Sequence, residues 1–147
     1  MRKEFSSLEI WGIYCSSKVG GERAMAKRIL IVEDELPVLE VFVEFFKILG
    51  LEISTAQDGE EAWRIFQEKG PFDIYLIDVK IPKIEGVQLA RQIRERDPEG
   101  PILILSGLPA DLHKEIGDIP KTGYLKKPAT FQEIKDLLKG FGVISDD

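Results

Sequence analysis

The chain has 147 residues, a formal charge of −6 and a single cysteine, Cys15. That length suits one domain with its own core, and the single thiol excludes an internal disulfide framework. The first 25 residues are close to neutral, which leaves 16 basic against 23 acidic side chains on the rest, a poor balance for sequence-blind binding to nucleic acid or an anionic membrane. No apolar run reaches the roughly 18 residues a membrane-spanning helix needs, so a cytoplasmic protein is expected.

Residues 1–25 read as an extension. Their short apolar run, Leu8 to Cys15, is interrupted by Glu9 and Gly12, and the linker residues Ser16-Ser17 and Gly20-Gly21 follow. A signal peptide is disfavoured, because the hydrophobic region is poor and no small-residue cleavage site follows. Met25-Ala26-Lys27-Arg28 looks like a natural beginning, so the stretch is expected to be floppy, loosely docked or a start-site artefact.

From Arg28 onward strand and helix patterns alternate. Arg28–Val32 is a β-branched and leucine run that ends in Glu33-Asp34-Glu35. Pro37 then sits where a first helical turn tolerates it, and Val38, Val41, Phe42, Phe45 and Leu49 form the expected inner face of a helix that Gly50 stops. Leu51–Ala56 reads as an outer strand. A second helix starts at Asp58-Gly59, turns Ala62, Ile65 and Phe66 inward, and ends at Gly70-Pro71. Phe72–Asp78 is a buried strand with a carboxylate at its carboxyl end, closed by Pro82. A third helix spans Gly86 to Arg96, with Val87, Ala90 and Ile93 inward.

Pro101–Leu105 is another buried strand, ending at Ser106-Gly107. A weak fourth helix is expected from Ala110 to Ile116, cut short by Gly117 and Pro120. Thr122–Lys126 forms a short strand, followed by Lys127-Pro128. Thr130-Phe131-Gln132-Glu133 is a capping box, and the last helix turns Phe131, Ile134, Leu137 and Phe141 inward. The expected domain is 26–141, with a polar tail over 142–147.

Five strand–helix units in series imply a doubly wound parallel sheet. In such a sheet, chemistry gathers outside the carboxyl ends of the strands, where strand order reverses. Glu33 and Asp34 end the first strand, Asp78 the third, Ser106 the fourth and Lys127 the fifth, so all five fall on one edge. Three carboxylates gathered there repel unless a cation joins them, and hard oxygen ligands describe a Mg²⁺ site, with Mn²⁺ as the substitute. A lysine and a hydroxyl beside that cation suit a phosphoryl group, for which Asp78 is a candidate nucleophile.

These motifs resemble the receiver domains of two-component response regulators, in particular stand-alone, CheY-like ones. The matching stretches are Ile29–Glu35, Asp78-Val79-Lys80-Ile81-Pro82 with Gly86, Ile102–Gly107, and Tyr124–Pro128, together covering residues 27 to about 141. The resemblance implies a flavodoxin-like α/β sheet of order 2-1-3-4-5 with five helices. It makes Asp78 the phosphoacceptor, and Glu33 and Asp34 the acidic pair for the metal, with Asp34 the more direct ligand. The backbone carbonyl of Lys80 matches the main-chain metal ligand. Ser106 matches the hydroxyl that turns toward the phosphoryl group, Lys127 the lysine that pairs with it, and Tyr124 the aromatic switch.

The implied partners are a sensor histidine kinase or histidine phosphotransfer protein and a downstream target protein, with no nucleic acid or membrane, for a monomer or weak homodimer. Glu33 departs from the commoner aspartate and lengthens the reach to the ion. Lys80 and Leu108 occupy positions that tune phosphate lifetime, and the short fourth helix would remodel the output surface.

Each residue also has a plainer reading. Asp78 and Ser106 could serve turn chemistry, Glu33 and Asp34 could complement a helix dipole, Lys127 could be a solubility residue, and Tyr124 static packing. His113 reads as solvated; Trp11 and Trp63 suggest packing only. The competing functions are a haloacid-dehalogenase-like phosphatase or phosphotransferase, a flavodoxin-like mononucleotide binder, and a non-phosphorylated adaptor. The first puts its nucleophile on the first strand in an Asp-x-Asp pair, and the second requires a phosphate loop that this first strand lacks. A phosphoacceptor that is not a turnover enzyme is the leading expectation.

Overall fold

The computed structural model describes residues 26–107 and 117–145. The extension with Trp11 and Cys15, the expected helix from Ala110 to Ile116 with Leu108 and His113 beside and within it, and the last two residues lie outside that set. In chain order the described elements are β1 (Arg28–Val32), α1 (Leu36–Ile48), β2 (Glu52–Ala56), α2 (Gly59–Lys69), β3 (Ile74–Asp78), α3 (Gly86–Arg96), β4 (Ile102–Ser106), β5 (Thr122–Lys126) and α4 (Phe131–Gly140). Four helices are thus found among the described residues against the five expected, the expected helix of 110–116 lying outside that set.

All strand pairs are parallel, in the order β2-β1-β3-β4-β5. Alternate residues of each central strand feed opposite layers, because successive side chains point to opposite faces. Ile29, Ile31, Ile74, Leu76, Leu103 and Leu105 pack with Leu39, Phe42 and Phe46 of α1 and Ile134 and Leu138 of α4. Leu30, Val32, Tyr75, Ile77, Ile102 and Ile104 pack with Ala62 and Phe66 of α2 and Leu89, Ala90 and Ile93 of α3. Right-handed crossovers force this division, since the chain moves one way from β1 to β2 and the other way from β2 to β3 and β4. The reversal falls between β1 and β3, at the edge where Glu33 and Asp78 emerge.

Helix faces shift from the sequence reading. In α1 the buried residues are Leu39, Phe42 and Phe46, while Val41 is 50 % exposed. The helix is apolar on most sides, so periodicity alone does not orient it. In α3 Leu89 is buried with Ala90 and Ile93, and Val87 is only partly covered. In α4 Ile134 and Leu138 are buried, while Phe131, Leu137 and Phe141 are half-buried around them. Val143, placed by sequence in the polar tail, packs into the core and donates its amide to the Leu138 carbonyl.

Helix starts follow from local chemistry. Asp58 caps α2, accepting from the Glu61 amide at 2.8 Å. Thr130 and Glu133 form the expected reciprocal capping box of α4.

At the opposite edge from the reversal, Arg28 holds the turn before β3. Its amide donates to Asp73 at 2.7 Å, its guanidinium donates to the carbonyls of Pro71 and Lys69, and its charge lies 4.5 Å from the centre of the Phe72 ring.

Candidate phosphoacceptor and metal site

Register brings the five polar residues together. Val32 pairs with Ile77, so the next residues out, Glu33 and Asp78, stand side by side at the carboxyl edge. Asp78 pairs with Leu105, and Ser106 with Lys126, which sets Ser106 and Lys127 just beyond. The Lys127 amide donates to the Ser106 carbonyl at 2.8 Å, extending the ladder past the end of β5.

Glu33 is fully buried, Asp78 and Ser106 nearly so, and Asp34 is exposed. Lys127 Nζ lies 2.9 Å from Asp78 Oδ2 and 3.7 Å from Glu33 Oε1. The other Asp78 oxygen, Oδ1, accepts from the Lys80 amide at 3.1 Å, and Glu33 Oε2 accepts from the Glu35 amide at 3.1 Å. Glu33 Oε1 is buried without a hydrogen-bond partner.

The electrostatics follow. Burial above all, with the nearby charge of Asp78, pushes the Glu33 carboxyl up to about 7, against the opposing pull of the Glu35 amide and Lys127. For Lys127, burial favours the neutral amine, but the hydrogen bond and charge of Asp78 and the charges of Glu33 and Glu35 outweigh it and hold the ammonium above its ordinary value.

Glu33, Asp34 and Asp78 each offer one oxygen, and the three lie within 4.8 Å of one another. Acidic clusters alone are common. Here Oε1 of a fully buried glutamate lacks a hydrogen bond, with only the Lys127 ammonium at 3.7 Å to offset it, which is a second, independent sign that a ligand belongs there, and an all-oxygen donor set suits Mg²⁺.

Comparison with known proteins decides the family. The family model for the response regulator receiver domain matches residues 29–139. The chain belongs to that family. It is 30 % identical over 116 residues to the alkaline phosphatase synthesis transcriptional regulatory protein PhoP of Bacillus subtilis (strain 168), covering 78 % of this chain and 48 % of PhoP. The chain therefore spans about half the length of that curated relative.

Among solved structures, a response regulator receiver domain protein from Clostridium thermocellum is 28 % identical with a TM-score of 0.73, covering 80 % of this chain and 94 % of that one. The receiver domain of sensor histidine kinase PA1611 from Pseudomonas aeruginosa PAO1, solved with a magnesium ion coordinated in its active-site cleft, is 26 % identical with a TM-score of 0.70. It covers 80 % of this chain and 98 % of that one. Receiver domains bind Mg²⁺ at an acidic pocket and are phosphorylated by histidine kinases, and this receiver carries an acidic cluster at the carboxyl edge of its sheet.

Of the predicted site residues, Glu33, Asp78, Ser106 and Lys127 converge, and Asp34 stands at the solvent side of the group. Tyr124 lies on β5 beside Ile104, two positions before the strand end, with 37 % of its surface exposed. Sequence reading missed the residues that hold the loop after Asp78, chiefly Gly59 and Lys83. The only hints were a glycine after the capping Asp58 and a lysine directly after a loop proline. No helix among the described residues is long and apolar enough to cross a membrane.

Proposed function

We propose that this receiver, residues 26–141, accepts a phosphoryl group on Asp78 from the phosphohistidine of a sensor kinase or histidine phosphotransfer protein, and that the modification switches binding of a downstream partner or passes the phosphate onward. A cytoplasmic setting and a role as phosphoacceptor rather than turnover enzyme belong to the same reading. The observation that carries it is the near-complete burial of Asp78 between a lysine at 2.9 Å and a buried glutamate, one oxygen of which makes no hydrogen bond.

A carboxylate oxygen of Asp78 attacks phosphorus as the phosphorus–nitrogen bond to the donor imidazole breaks, and the electron pair returns to that ring. Glu33, Asp34, Asp78 and the Lys80 carbonyl would hold Mg²⁺, whose charge offsets that of the carboxylates and of the phosphoryl oxygens. The Lys80 amide steadies one Asp78 oxygen. Lys127, already paired with Asp78, would transfer its ammonium to a phosphoryl oxygen.

The product carries about 1.5 to 2 additional negative charges. Ser106 turns its hydroxyl to meet them, and Tyr124 moves from its exposed position toward the space Ser106 leaves, shifting the population of surfaces around β5. Incubation with acetyl phosphate and Mg²⁺, followed by intact-protein mass spectrometry, should show one added phosphoryl group that Asp78→Asn abolishes. An unchanged wild-type mass would refute the assignment.

A further inference from the structure

Seven residues separate Asp78 from Gly86. The loop they form supplies both the Lys80 amide that binds Asp78 Oδ1 and the Lys80 carbonyl assigned above to the metal. Its near end is pinned where the Gly86 amide donates to the Val79 carbonyl at 3.1 Å, and a Cβ on Gly86 would lie 2.5 Å from the Asp78 carbonyl oxygen.

The middle of the loop is held by a different element. The amide of Gly59, first residue of α2, donates to the Pro82 carbonyl at 3.1 Å. A Cβ on Gly59 would lie 2.5 Å from Ile84 Cβ and press on the Ile84 carbonyl oxygen, so only glycine permits this approach. Lys83, between those two loop residues, has φ of +72°, a conformation that a side-chain-bearing residue keeps only when its surroundings enforce it. Its ammonium lies 3.5 Å from Asp58 Oδ2 and 3.8 Å from Glu60 Oε1. Asp58 is the α2 cap, so one carboxylate serves both the helix start and the loop.

We propose that the first turn of α2 is a clasp on the loop after the phosphoacceptor, with Gly59 and Lys83 as positioning residues that set Lys80 against Asp78 and the metal without touching ion or phosphate. The metal half of this inference rests on the Mg²⁺ reading above. The physical case is that a metal site built partly from a loop is only as exact as the contacts behind it, and past Val79, whose amide donates to the Leu105 carbonyl, this loop is not part of the sheet.

The test is a calorimetric Mg²⁺ titration of the full chain as wild type, Gly59→Ala, Lys83→Asn and Gly100→Ala. Gly100 is equally crowded, a Cβ there lying 2.7 Å from Asp97 Oδ2, but it precedes β4 at the far edge of the sheet. Gly59→Ala should weaken Mg²⁺ binding about tenfold, as loss of a supporting contact does at other metal sites. Lys83→Asn, which tolerates positive φ but removes the ion pairs, should weaken it roughly two- to threefold. Gly100→Ala should lower the melting temperature and leave Mg²⁺ affinity alone.

Wild-type affinity in both Gly59→Ala and Lys83→Asn overturns the clasp. If Gly59→Ala does not fold, Lys83→Asn decides by the same criterion. If the wild type itself binds no Mg²⁺, the metal reading falls, and metal-free hydrogen exchange decides the clasp. Faster exchange of the Lys80 and Gly59 amides in Lys83→Asn supports it, and unchanged exchange overturns it.

Discussion

Lys127 stands 49 residues from Asp78 in the chain, yet its ammonium lies 2.9 Å from the Asp78 carboxylate. Nothing local brings them together. Two strand pairings do, β3 with β4 and β4 with β5, and the side chain of Lys127 then crosses the mouth of the site. The contact supplies positive charge to a pocket of carboxylates.

Lys127→Ala should therefore cost stability chiefly in the absence of metal. The lysine is about a third exposed and its partners are buried, so a loss of roughly 1–2 kcal/mol is expected, between the values for surface and fully buried pairs. Denaturant melts in chelator and in saturating Mg²⁺ check this; the deficit should shrink with the metal. An equal deficit in both would mean that lysine and cation do not share the same carboxylates.

Glu33 sets a pH dependence. Its folded carboxyl titrates near 7, above the ordinary value of 4.5, so between those values the folded state binds more protons than the unfolded one. Stability from this group is full below about 4.5, falls as pH rises, and is lost above about 7. Glu33→Gln should flatten that slope and raise metal-free stability at pH 8 by roughly 1–3 kcal/mol. Because Mg²⁺ competes with the same proton, its stabilising effect on the wild type should grow from pH 5.5 to pH 8. Thermal melts across that range, with and without Mg²⁺, would expose an effect that fails to grow.

Asp34 is exposed, and Asp34→Ala should change metal-free stability by less than about 0.5 kcal/mol. With Mg²⁺ at ten times its dissociation constant the wild type should gain about 1.4 kcal/mol, and the variant almost none. A variant that retains the gain would remove Asp34 from the ligand set.

Tyr75 provides a contrast at the other end of the same strand. Its hydroxyl donates to Asp97 Oδ2 at 2.6 Å and accepts from the Phe72 amide at 2.9 Å, all within the core. Burial, with the Asp97 hydrogen bond adding to it, pushes the phenol well above its ordinary range, so it is the hydroxyl that donates at any working pH. Tyr75→Phe orphans two buried groups and should cost about 2–3 kcal/mol with Mg²⁺ affinity unchanged. A shifted affinity would show that the two edges of the sheet are coupled.

The contrast also marks what the sequence makes legible. The strands could be read because their apolar runs are short, β-branched and punctuated, and the five polar residues because each sits at a strand end in a parallel sheet. The face of α1 could be read only in part: Phe42 is buried and Val38, Phe45 and Leu49 pack against the core as expected, but Leu36–Ile48 carries apolar residues on most sides, and only tertiary packing exposes Val41 and buries Leu39 and Phe46. Asp97 reads as a helix-terminating polar residue; nothing local signals a tyrosine 22 residues upstream. The Gly59–Pro82 contact joins the start of α2 to a loop distant in sequence, and its crowding exists only in three dimensions.

The grip of Arg28 on the turn before β3 ties the start of β1 to the floor of the sheet. It anchors the chain at the amino edge of the sheet, one five-residue strand, about 16 Å, from the acid pocket. Helix α4 returns to that same edge, where Phe141 comes near Gly123 at the start of β5. The described unit from β1 to α4 thus begins and ends at the floor of the sheet, on the side away from the acid pocket. A change of charge at the pocket therefore reaches that floor only through the sheet or around its flank.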